Sequence, residues 1–139
     1  MLSFRIFLLF AFLSSAASKP IFGGYNGEEG SKEQTFTATF SFNWGSTWER
    51  QVKGGKQTYK ICTPMEKNAN CGKWIDEKGI SHPSGITISR KRAVNTVEMI
   101  FFEGTNCVLG DSGDYYTVKG GGKLAHIVTV NITPKVKKS

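Results

Sequence analysis

The sequence is poor in the residues that build metal sites and most catalytic centres. It has two histidines and three cysteines in 139 residues. Structural zinc sites are closed by cysteine and histidine ligands, so these few scattered residues give a zinc site little support. Asp111 and Asp114 are also too few for calcium, which takes about 6–8 oxygen ligands. We therefore predict neither a metal nor a cofactor.

Long hydrophobic runs are also missing, and the one apolar run lies at the N-terminus. Ile6 to Leu13 are all apolar, Arg5 precedes them, and the small residues Ser14 to Ser18 follow. This order is that of a secretory signal peptide, and the run is far shorter than the ~20 residues of a membrane-spanning helix. We predict that residues 1–18 are a cleaved signal and that the protein is secreted and extracellular, with no membrane span in the mature chain.

Basic residues outnumber acidic ones. The chain has 18 lysines and arginines against 11 aspartates and glutamates, which gives a net charge of +7. This charge favours acidic partners such as nucleic acid, acidic glycans, anionic lipid or an acidic protein surface. Because the lysines are spread along the chain, the charge also fits a role in solubility alone.

Glycine and lysine mark the two ends of the mature chain. Residues 19–34 contain Gly23, Gly24, Gly27 and Gly30, and we expect a flexible Gly-rich arm there. Residues 135–139 form a basic tail.

The clearest element is a strand from Thr35 to Trp44. Apolar residues at every second position alternate there with Thr, Ser and Asn, which is the period of a strand with one buried face. Trp48 to Val52 repeats the pattern with Arg50 among the apolar positions. Gly54-Gly55 then favours a hairpin turn, and Gln57 to Cys62 returns as the partner strand.

Further strands are predicted in the second half of the chain. Asn95 to Phe102 is apolar on both faces, which indicates a central strand. Thr63 to Ser84 is polar and irregular, with one turn of helix at Lys73 to Lys78. The remaining predicted strands, all short or alternating, are Ile86–Ile88, Tyr115–Val118 and Leu124–Ile132. About seven strands and no sustained helical period predict an all-β domain over 35–134, a single antiparallel β-sandwich or barrel.

An oxidising secretory route favours one disulfide among the three cysteines. Cys62 and Cys71 flank a polar loop, so a bridge between them is local. A Cys62–Cys107 bridge would instead join two distant strands. Spacing does not choose between these pairings, and in the first case Cys107 is either buried or paired with another chain.

Gly110-Asp111-Ser112-Gly113 resembles the segment around the nucleophile of trypsin-like serine proteases. That chemistry needs a histidine base, an orienting acid and an oxyanion hole, and His82 is the only histidine upstream. Asp, Ser and Gly also build tight turns. We interpret the segment as a polar turn between strands and assign no catalytic residue.

A second route to catalysis would use a histidine beside a carboxylate and an arginine, as in a secreted ribonuclease. His126 lies on the last predicted strand, where Glu98 or Arg90 could approach it across a sheet. This hydrolase hypothesis predicts that replacing His126 or His82 abolishes turnover.

Two groups of residues are candidates for binding. Trp74 lies in the polar segment, so we expect its ring to be exposed. It is a candidate contact because exposed aromatic residues mark interfaces. Arg90, Lys91 and Arg92 form a basic run that we predict to be a turn. This turn is either simply solvated or part of a polyanion-binding patch. The lysines that would complete that patch are Lys53, Lys56 and Lys60.

A signal segment (Leu2 to Ser18), a Gly-rich arm, the strand Thr35 to Trp44, few cysteines and a basic β-domain occur together in this chain. In this combination it resembles the small secreted effectors of plant-pathogenic fungi. The resemblance implies a non-catalytic binding protein, a virulence effector that engages a host target either outside cells or after entry into them. The alternatives are a hydrolase acting on RNA or polysaccharide and a carbohydrate- or polyanion-binding module.

Overall fold

The computed structural model describes residues 20–32, 35–41, 45–62, 71–92, 98–119 and 123–135. The predicted signal peptide, Trp44 and the first residues of the strand predicted from Asn95 lie outside these ranges, as do residues 63–70 and 136–139. The described residues form ten strands and one short 3-10 helix.

The strands follow one another along the whole described chain. They are β1 (Gly24–Glu28), β2 (Phe36–Ser41), β3 (Thr47–Val52), β4 (Gly55–Lys60), β5 (Trp74–Asp76), β6 (Ser81–His82), β7 (Ile86–Arg92), β8 (Glu98–Gly104), β9 (Gly113–Lys119) and β10 (Lys123–Thr133). The 3-10 helix, Leu109–Asp111, precedes β9.

The strands form two sheets that pack face to face. The larger sheet has the order β1-β10-β9-β3-β4-β5-β6, and the smaller has the order β2-β8-β7. The β1–β10 pair is parallel, and the other pairs are antiparallel. Buried side chains of both sheets form one core. The protein is therefore an all-β sandwich, one of the two architectures that the alternation predicted.

The β3–β4 hairpin shows how glycine sets the register. Val52 pairs with Gly55 across the turn at Lys53 and Gly54. Gly55 has a φ of 108°, a conformation that costs little only without a Cβ. The predicted hairpin at Gly54-Gly55 is confirmed.

Aromatic rings fill the centre of the core. The Trp48 ring lies 5.8 Å from that of Phe40 and 5.6 Å from that of Phe102, measured between centroids. Tyr115 meets Phe102 edge-on at 5.2 Å and Trp74 edge-on at 5.4 Å. Full burial of such a side chain stabilises the fold by about 1.5–3 kcal/mol, so these rings supply much of the packing energy.

Strand β8 is the central strand of the smaller sheet, as predicted. It pairs with β2 on one side and with β7 on the other. Ile100 and Phe102 are fully buried, and Met99 and Phe101 are half-buried. The two apolar faces of the sequence pattern thus correspond to a core face and a partly covered outer face.

The prediction of a flexible arm over 19–34 is wrong for Gly24–Glu28. This segment is β1, and its register runs from Gly24 opposite Thr129 to Glu28 opposite Thr133. Its one aromatic residue, Tyr25, stacks on Phe36 with ring centroids 4.4 Å apart. Backbone pairing to β10 and this stack hold the segment in place despite its glycines.

The helical turn predicted at Lys73 to Lys78 is also wrong. Trp74–Asp76 is β5, because Gln57 and Thr58 of β4 pair with Asp76 and Ile75. The pairing continues to β6 on the other side of β5. A neighbouring strand edge therefore overrides the weak local preference of this polar segment.

Strand β10 does not alternate evenly along its length. His126 is opposite Tyr116 while Val128 is opposite Tyr115, so Ile127 is an extra residue in a β-bulge. Ile127 and Val128 are both buried. The bulge shifts His126 and Leu124 to the face opposite that of Val128, so the alternation predicted over Leu124–Ile132 is not kept along the whole strand.

Candidate functional site

The larger sheet has side chains that point away from the core, and we call this surface the outer face. One row crosses four strands through the register partners His126, Tyr116, Glu49 and Thr58. On either side of this row, further paired residues of the same four strands also point away from the core. The outer face consists of Thr47, Glu49, Gln51, Lys56, Thr58, Asp114, Tyr116, Val118, Leu124, His126 and Thr129.

The centre of the outer face is a stacked pair of rings joined to polar groups. The Tyr116 and His126 rings lie 4.9 Å apart at an angle of 27°. His126 Nε2 is 3.0 Å from Thr129 Oγ1 and 3.3 Å from Asp114 Oδ1, and Thr129 Oγ1 donates to Asp114 at 2.8 Å. Burial, followed by the charge of Asp114, raises the pKa of Tyr116. The phenol therefore stays protonated and remains a hydrogen-bond donor at neutral pH.

Exposed apolar side chains collect at the β1–β10–β9 end of this sheet. Val118 and Leu124 are register partners and are 38% and 48% exposed. Ile21 and Phe22 run beside β10, since their backbone N–H groups donate to His126 O at 3.0 Å and Ile127 O at 2.9 Å. Both side chains are more than two-fifths exposed, at 51% and 44%. The Phe22 ring packs towards the core, 4.4 Å from the ring of buried Phe40. We call Ile21, Val118 and Leu124 the apolar patch.

A buried ion pair lies inside the sandwich, on the core side of β3. Arg50 Nη1 is 2.7 Å from Asp111 Oδ1, and the two side chains are 1% and 0% exposed. Asp111 also accepts from the backbone N–H groups of Gly85 at 2.8 Å and Val108 at 3.0 Å. A buried charge is tolerated when it is paired and fully hydrogen-bonded, as here.

Other polar groups complete the shell around Arg50. Its Nε donates to Gln57 Oε1 at 2.8 Å, and its Nη1 lies 3.0 Å from Tyr115 Oη and 3.1 Å from Ser84 Oγ. The guanidinium carbon sits 4.4 Å from the centre of the Trp74 ring, which is cation–π distance. The network joins β3, β4, β5 and the turn before β9.

The Gly110 to Gly113 segment is the turn that carries this acid. Tyr115 Oη donates to the backbone oxygen of Asp111 at 2.7 Å, which pins the turn to the start of β9. The Ser112 hydroxyl binds the backbone of Ile132, donating to its oxygen at 3.2 Å and accepting from its nitrogen at 2.8 Å. The interpretation of this segment as a polar turn between strands is confirmed.

A second acid–base pair lies at the far edge of the same sheet. Asp76 Oδ2 is 2.7 Å from His82 Nε2, and Asp76 Oδ1 accepts from the backbone N–H groups of Lys78 and Ile80 at 2.8 and 3.0 Å. The hydrogen bond from His82, followed by that from Ile80, lowers the pKa of Asp76 to about 2. This carboxylate is therefore ionised throughout the physiological range.

Trp74, predicted to be exposed, is buried. Its side chain is 1% exposed, and its Nε1 donates to Ile86 O at 3.0 Å. The ring packs 4.9 Å from the Tyr59 ring, centroid to centroid. Trp74 was predicted to be exposed because its neighbours in the sequence are polar. Those neighbours lie in turns on either side of a very short strand. Trp74 does not offer its ring to an external ligand.

Arg90, Lys91 and Arg92 form the end of β7, so the prediction that they form a turn is wrong. They pair with Ile100, Met99 and Glu98 of β8. Arg90 and Lys91 are exposed, and Lys91 Nζ lies 3.6 Å from Glu103. Strand β7 is an edge of the smaller sheet, and charged side chains on edge strands block pairing with other chains. Lys53, Lys56 and Lys60 lie on or beside β4 of the other sheet.

The cysteines resolve one open question of the sequence. Cys62 and Cys71 form a disulfide with an S–S length of 1.99 Å, which confirms the local pairing. Cys107 is free and buried. Burial, followed by the nearby Asp111 charge, raises the pKa of the Cys107 thiol to about 11.

The groups named in the hydrolase hypothesis do not converge. His126 is on β10 of the larger sheet, whereas Arg90 and Glu98 are on β7 and β8 of the smaller sheet. Within the described residues there is no group of three or more His, Cys, Asp or Glu side chains that could hold a metal ion. The same part of the chain contains no helix long and apolar enough to cross a membrane.

Sequence reasoning missed the Arg50–Asp111 pair and the outer face. The signal for the first was present, because Arg50 takes an inward position between Trp48 and Val52 in the alternation of β3. An arginine there requires a buried acid. For the outer face, the position of Tyr116 depended on the register of β9 between β3 and β10.

The strand order defines a class of sandwich. Strands β2, β8 and β7 form one sheet, and β10, β9, β3, β4 and β5 lie side by side in the other, which is the topology of variable-type immunoglobulin domains. Buried Trp48 on β3 and the Tyr115 hydroxyl bonded back to Asp111 are further marks of that fold. The inter-sheet disulfide is missing. Thr117, which takes the place of its second cysteine, is buried and donates to Thr47 O at 2.8 Å.

The sequence matches no protein-family model and no curated protein. Among solved structures, it is similar to the first Ig domain of the mouse polymeric immunoglobulin receptor. That match has 18% identity and a TM-score of 0.43, and it covers 86% of this chain and 99% of that one. A chicken TCR gives 15% identity, coverage of 88% and 57%, and a TM-score of 0.38. The extracellular domain of the voltage-gated sodium channel β4 subunit gives 10% identity and a TM-score of 0.38. That match covers 83% of this chain and 88% of that one.

Proposed function

We propose that this chain is a secreted, non-catalytic binding protein that contacts a partner protein through the apolar patch and the adjoining Tyr116. The observation that carries the proposal is the position of the exposed apolar side chains. Three of the six large hydrophobic residues that are exposed among the described residues belong to this patch. Clustered exposed apolar groups beside an aromatic residue are typical of a protein interface.

The surroundings of the patch support a protein partner. The residues Tyr116, Glu49 and Thr58 in the row beside it offer hydrogen-bond donors and acceptors. A polar rim around an apolar centre is the usual anatomy of such an interface. Lys123 at the start of β10 is exposed, and the chain carries a net charge of +7. An acidic partner would therefore associate faster, through electrostatic steering.

A biological role is part of the same proposal, and features of the sequence support it. An N-terminal signal and one disulfide are consistent with an extracellular protein. We propose that the partner is a host protein and that the chain is a virulence effector, as its resemblance to fungal effectors implies. Under this proposal the hydrophobic and aromatic residues of the larger sheet, rather than Trp74 or the basic end of β7, make the contact.

A pair of matched variants tests the contact surface. Leu124→Glu places a charge in the patch, whereas Ile80→Glu places the same charge at an equally apolar residue, 56% exposed, between β5 and β6 at the far edge of the sheet. The partner is captured from host extracellular fluid with the wild-type chain, identified, and then titrated with each purified variant. We expect Leu124→Glu to weaken binding by about tenfold or more and Ile80→Glu to leave it unchanged.

Hydrogen exchange on the captured complex locates the surface independently. Protection should appear in β9 and β10 and be absent from β7. An unchanged affinity of Leu124→Glu, or protection confined to β7, would overturn the assignment of the surface. Turnover of RNA or polysaccharide that is lost in His126→Ala would overturn the non-catalytic role.

A further inference from the structure

We propose that a cavity beside the β3–β4 hairpin is a binding site for a carboxylate group. The cavity has a volume of about 210 Å³, and Arg50, Gln57, Gly54 and His82 are among its lining residues. Sites for drug-sized ligands usually measure about 300–1,000 Å³, so this one suits a single small group. It lies apart from the apolar patch, at the opposite side of β9 from β10.

Arg50 provides the first donor. The side chain is 1% exposed. Its Nε and Nη1 atoms are used inside the protein, on Gln57, Asp111, Ser84 and Tyr115. Its Nη2 atom makes no hydrogen bond to any of the described residues. A buried guanidinium that lines a cavity thus keeps two N–H bonds unused.

Gln57 provides the second donor. Its Oε1 accepts from Arg50 Nε, and this bond orients the amide so that Nε2 is the free end. Nε2 has no hydrogen-bond partner among the described residues either. The fully buried side-chain atoms without a partner in this part of the chain are Trp48 Nε1 and Ser89 Oγ. Nη2 of Arg50 and Nε2 of Gln57 are therefore not sealed off, and the cavity is the space that both residues border.

The donor set selects the ligand chemistry. Both free atoms are N–H donors, and one belongs to a charged guanidinium, which forms a stronger hydrogen bond with a carboxylate than with a neutral acceptor. The nearest acid does not occupy the site, because both Asp111 oxygens are already engaged. Oδ1 accepts from Arg50 Nη1 and Ser84, and Oδ2 accepts from the backbone of Gly85 and Val108. At the rim, His82 uses Nε2 on Asp76 and leaves its other ring nitrogen for the ligand.

Gly54 allows the ligand to be built into the chain. A Cβ added at Gly54 would lie 3.8 Å from Gln57 Nε2 and meet nothing closer, and its φ is not in the left-handed region. Gly54→Asp therefore places a tethered carboxylate within reach of the proposed donors. Gly54→Ala is the matched control, with the same backbone change and no acid. Gln57→Glu is a second test, because it keeps an oxygen for Arg50 Nε and replaces the Nε2 donor with an acceptor.

The experiment is an NMR titration of the full mature chain with sodium acetate, against sodium chloride at equal ionic strength. A ligand this small binds weakly, so the titration extends into the millimolar range. We expect acetate to shift the side-chain N–H signals of Arg50 and Gln57 saturably in the wild type and in Gly54→Ala. In Gly54→Asp and Gln57→Glu the saturable shift should be lost, and Gly54→Asp should also raise the melting temperature above that of Gly54→Ala.

Three results would overturn the proposal. They are a wild-type chain whose Arg50 and Gln57 signals do not respond to acetate, an equal response to chloride, and an undiminished response in both Gly54→Asp and Gln57→Glu. Peptides then identify the source of the carboxylate. Tighter binding of a peptide with a free C-terminus than of its amide indicates a chain end, and tighter binding of an amidated peptide with an internal aspartate indicates a side chain. Binding no tighter than that of acetate for both peptides indicates a small free acid.

Discussion

Two ion pairs of the same length occupy very different surroundings in this protein. Arg50–Asp111 and His82–Asp76 each have a nitrogen–oxygen distance of 2.7 Å. The first pair is buried in the core, with side chains 1% and 0% exposed, whereas the second lies at the sheet edge, at 35% and 19%. Distance alone therefore says little about what a charge pair contributes. Burial decides whether the loss of one partner leaves a charge that water cannot reach.

The two pairs also differ in what they connect. Arg50 reaches β4, the segment before β7 and the turn before β9 through Gln57, Ser84 and Asp111. Asp76 forms its hydrogen bonds with residues close in sequence, namely with the His82 ring and the backbone N–H of Ile80. The buried pair fixes tertiary structure, and the exposed pair fixes one local turn. Substitutions in and around the two pairs test this contrast.

Removing the acid of the buried pair should be the most damaging change. In Asp111→Asn the Arg50 guanidinium stays in the core without its counter-charge, and we expect a loss of about 3–5 kcal/mol in the free energy of unfolding. Urea denaturation measures it. Asp114→Asn, which changes an acid on the outer face, is the control. A loss below about 1 kcal/mol for Asp111→Asn, the range of exposed pairs, would show that burial does not separate the two cases.

Opening the disulfide should cost less. The Cys62–Cys71 bridge closes a short loop, with a sequence separation of 9, and loops of that size contribute about 2–3 kcal/mol. The double variant Cys62→Ser with Cys71→Ser should lose this amount in urea denaturation. Reductant should lower the wild type to the same level and leave the variant unchanged. A response of the variant to reductant would contradict this account.

The two buried tryptophans give a matched comparison. Trp74 Nε1 donates to Ile86 O, whereas Trp48 Nε1 is buried without a partner among the described residues. Trp74→Phe strands an acceptor and also weakens the cation–π contact with Arg50, while Trp48→Phe removes a donor that had no partner. We expect Trp74→Phe to cost about 1–2 kcal/mol more than Trp48→Phe, measured by urea denaturation of both. Equal losses would mean that ring volume alone matters.

The exposed Asp76–His82 pair should make the stability of the fold depend on pH. The pKa of Asp76 is lowered to about 2, chiefly by the hydrogen bond from His82. The unfolded chain therefore takes up this proton at higher pH than the folded chain does. The contribution of Asp76 is fully present above about pH 4 and is lost as pH falls towards about 2. In Asp76→Asn the urea midpoint should depend less on pH within this window, while at neutral pH its loss should be far smaller than that of Asp111→Asn.

The sequence predicts a strand correctly where its alternation of buried and exposed residues is not altered by the strands that pair with it. Alternation from Phe36 placed Ala38 and Phe40 in the core of β2, and the glycines after Val52 placed the hairpin. Strand β1 could not be read in this way, because only Tyr25 among its residues packs against the core and its partner β10 is far away in sequence. Pairing with a distant edge, rather than local preference, makes it a strand.

The candidate sites were harder to predict than the fold. Both the Arg50–Asp111 pair and the cavity beside it join residues from distant parts of the chain, and periodicity carries no information on which charges meet. The bulge at Ile127 placed His126 beside Tyr116, and no periodic pattern predicts one inserted residue. Trp74 was misplaced for a related reason, since its burial depends on contacts with Tyr59 and Ile86 that lie outside its own segment.

The buried Cys107 thiol has a practical consequence for measuring how the sandwich opens. It is 4% exposed, and its pKa of about 11 keeps it protonated at neutral pH, so thiol reagents meet neither a surface sulfur nor a thiolate in the native state. With Cys62 and Cys71 bridged, it is the single free thiol in the sequence. Its labelling rate thus reports the fraction of molecules in which the core around Asp111 is open. Cys107 is therefore an intrinsic probe of that opening, and no label site has to be added.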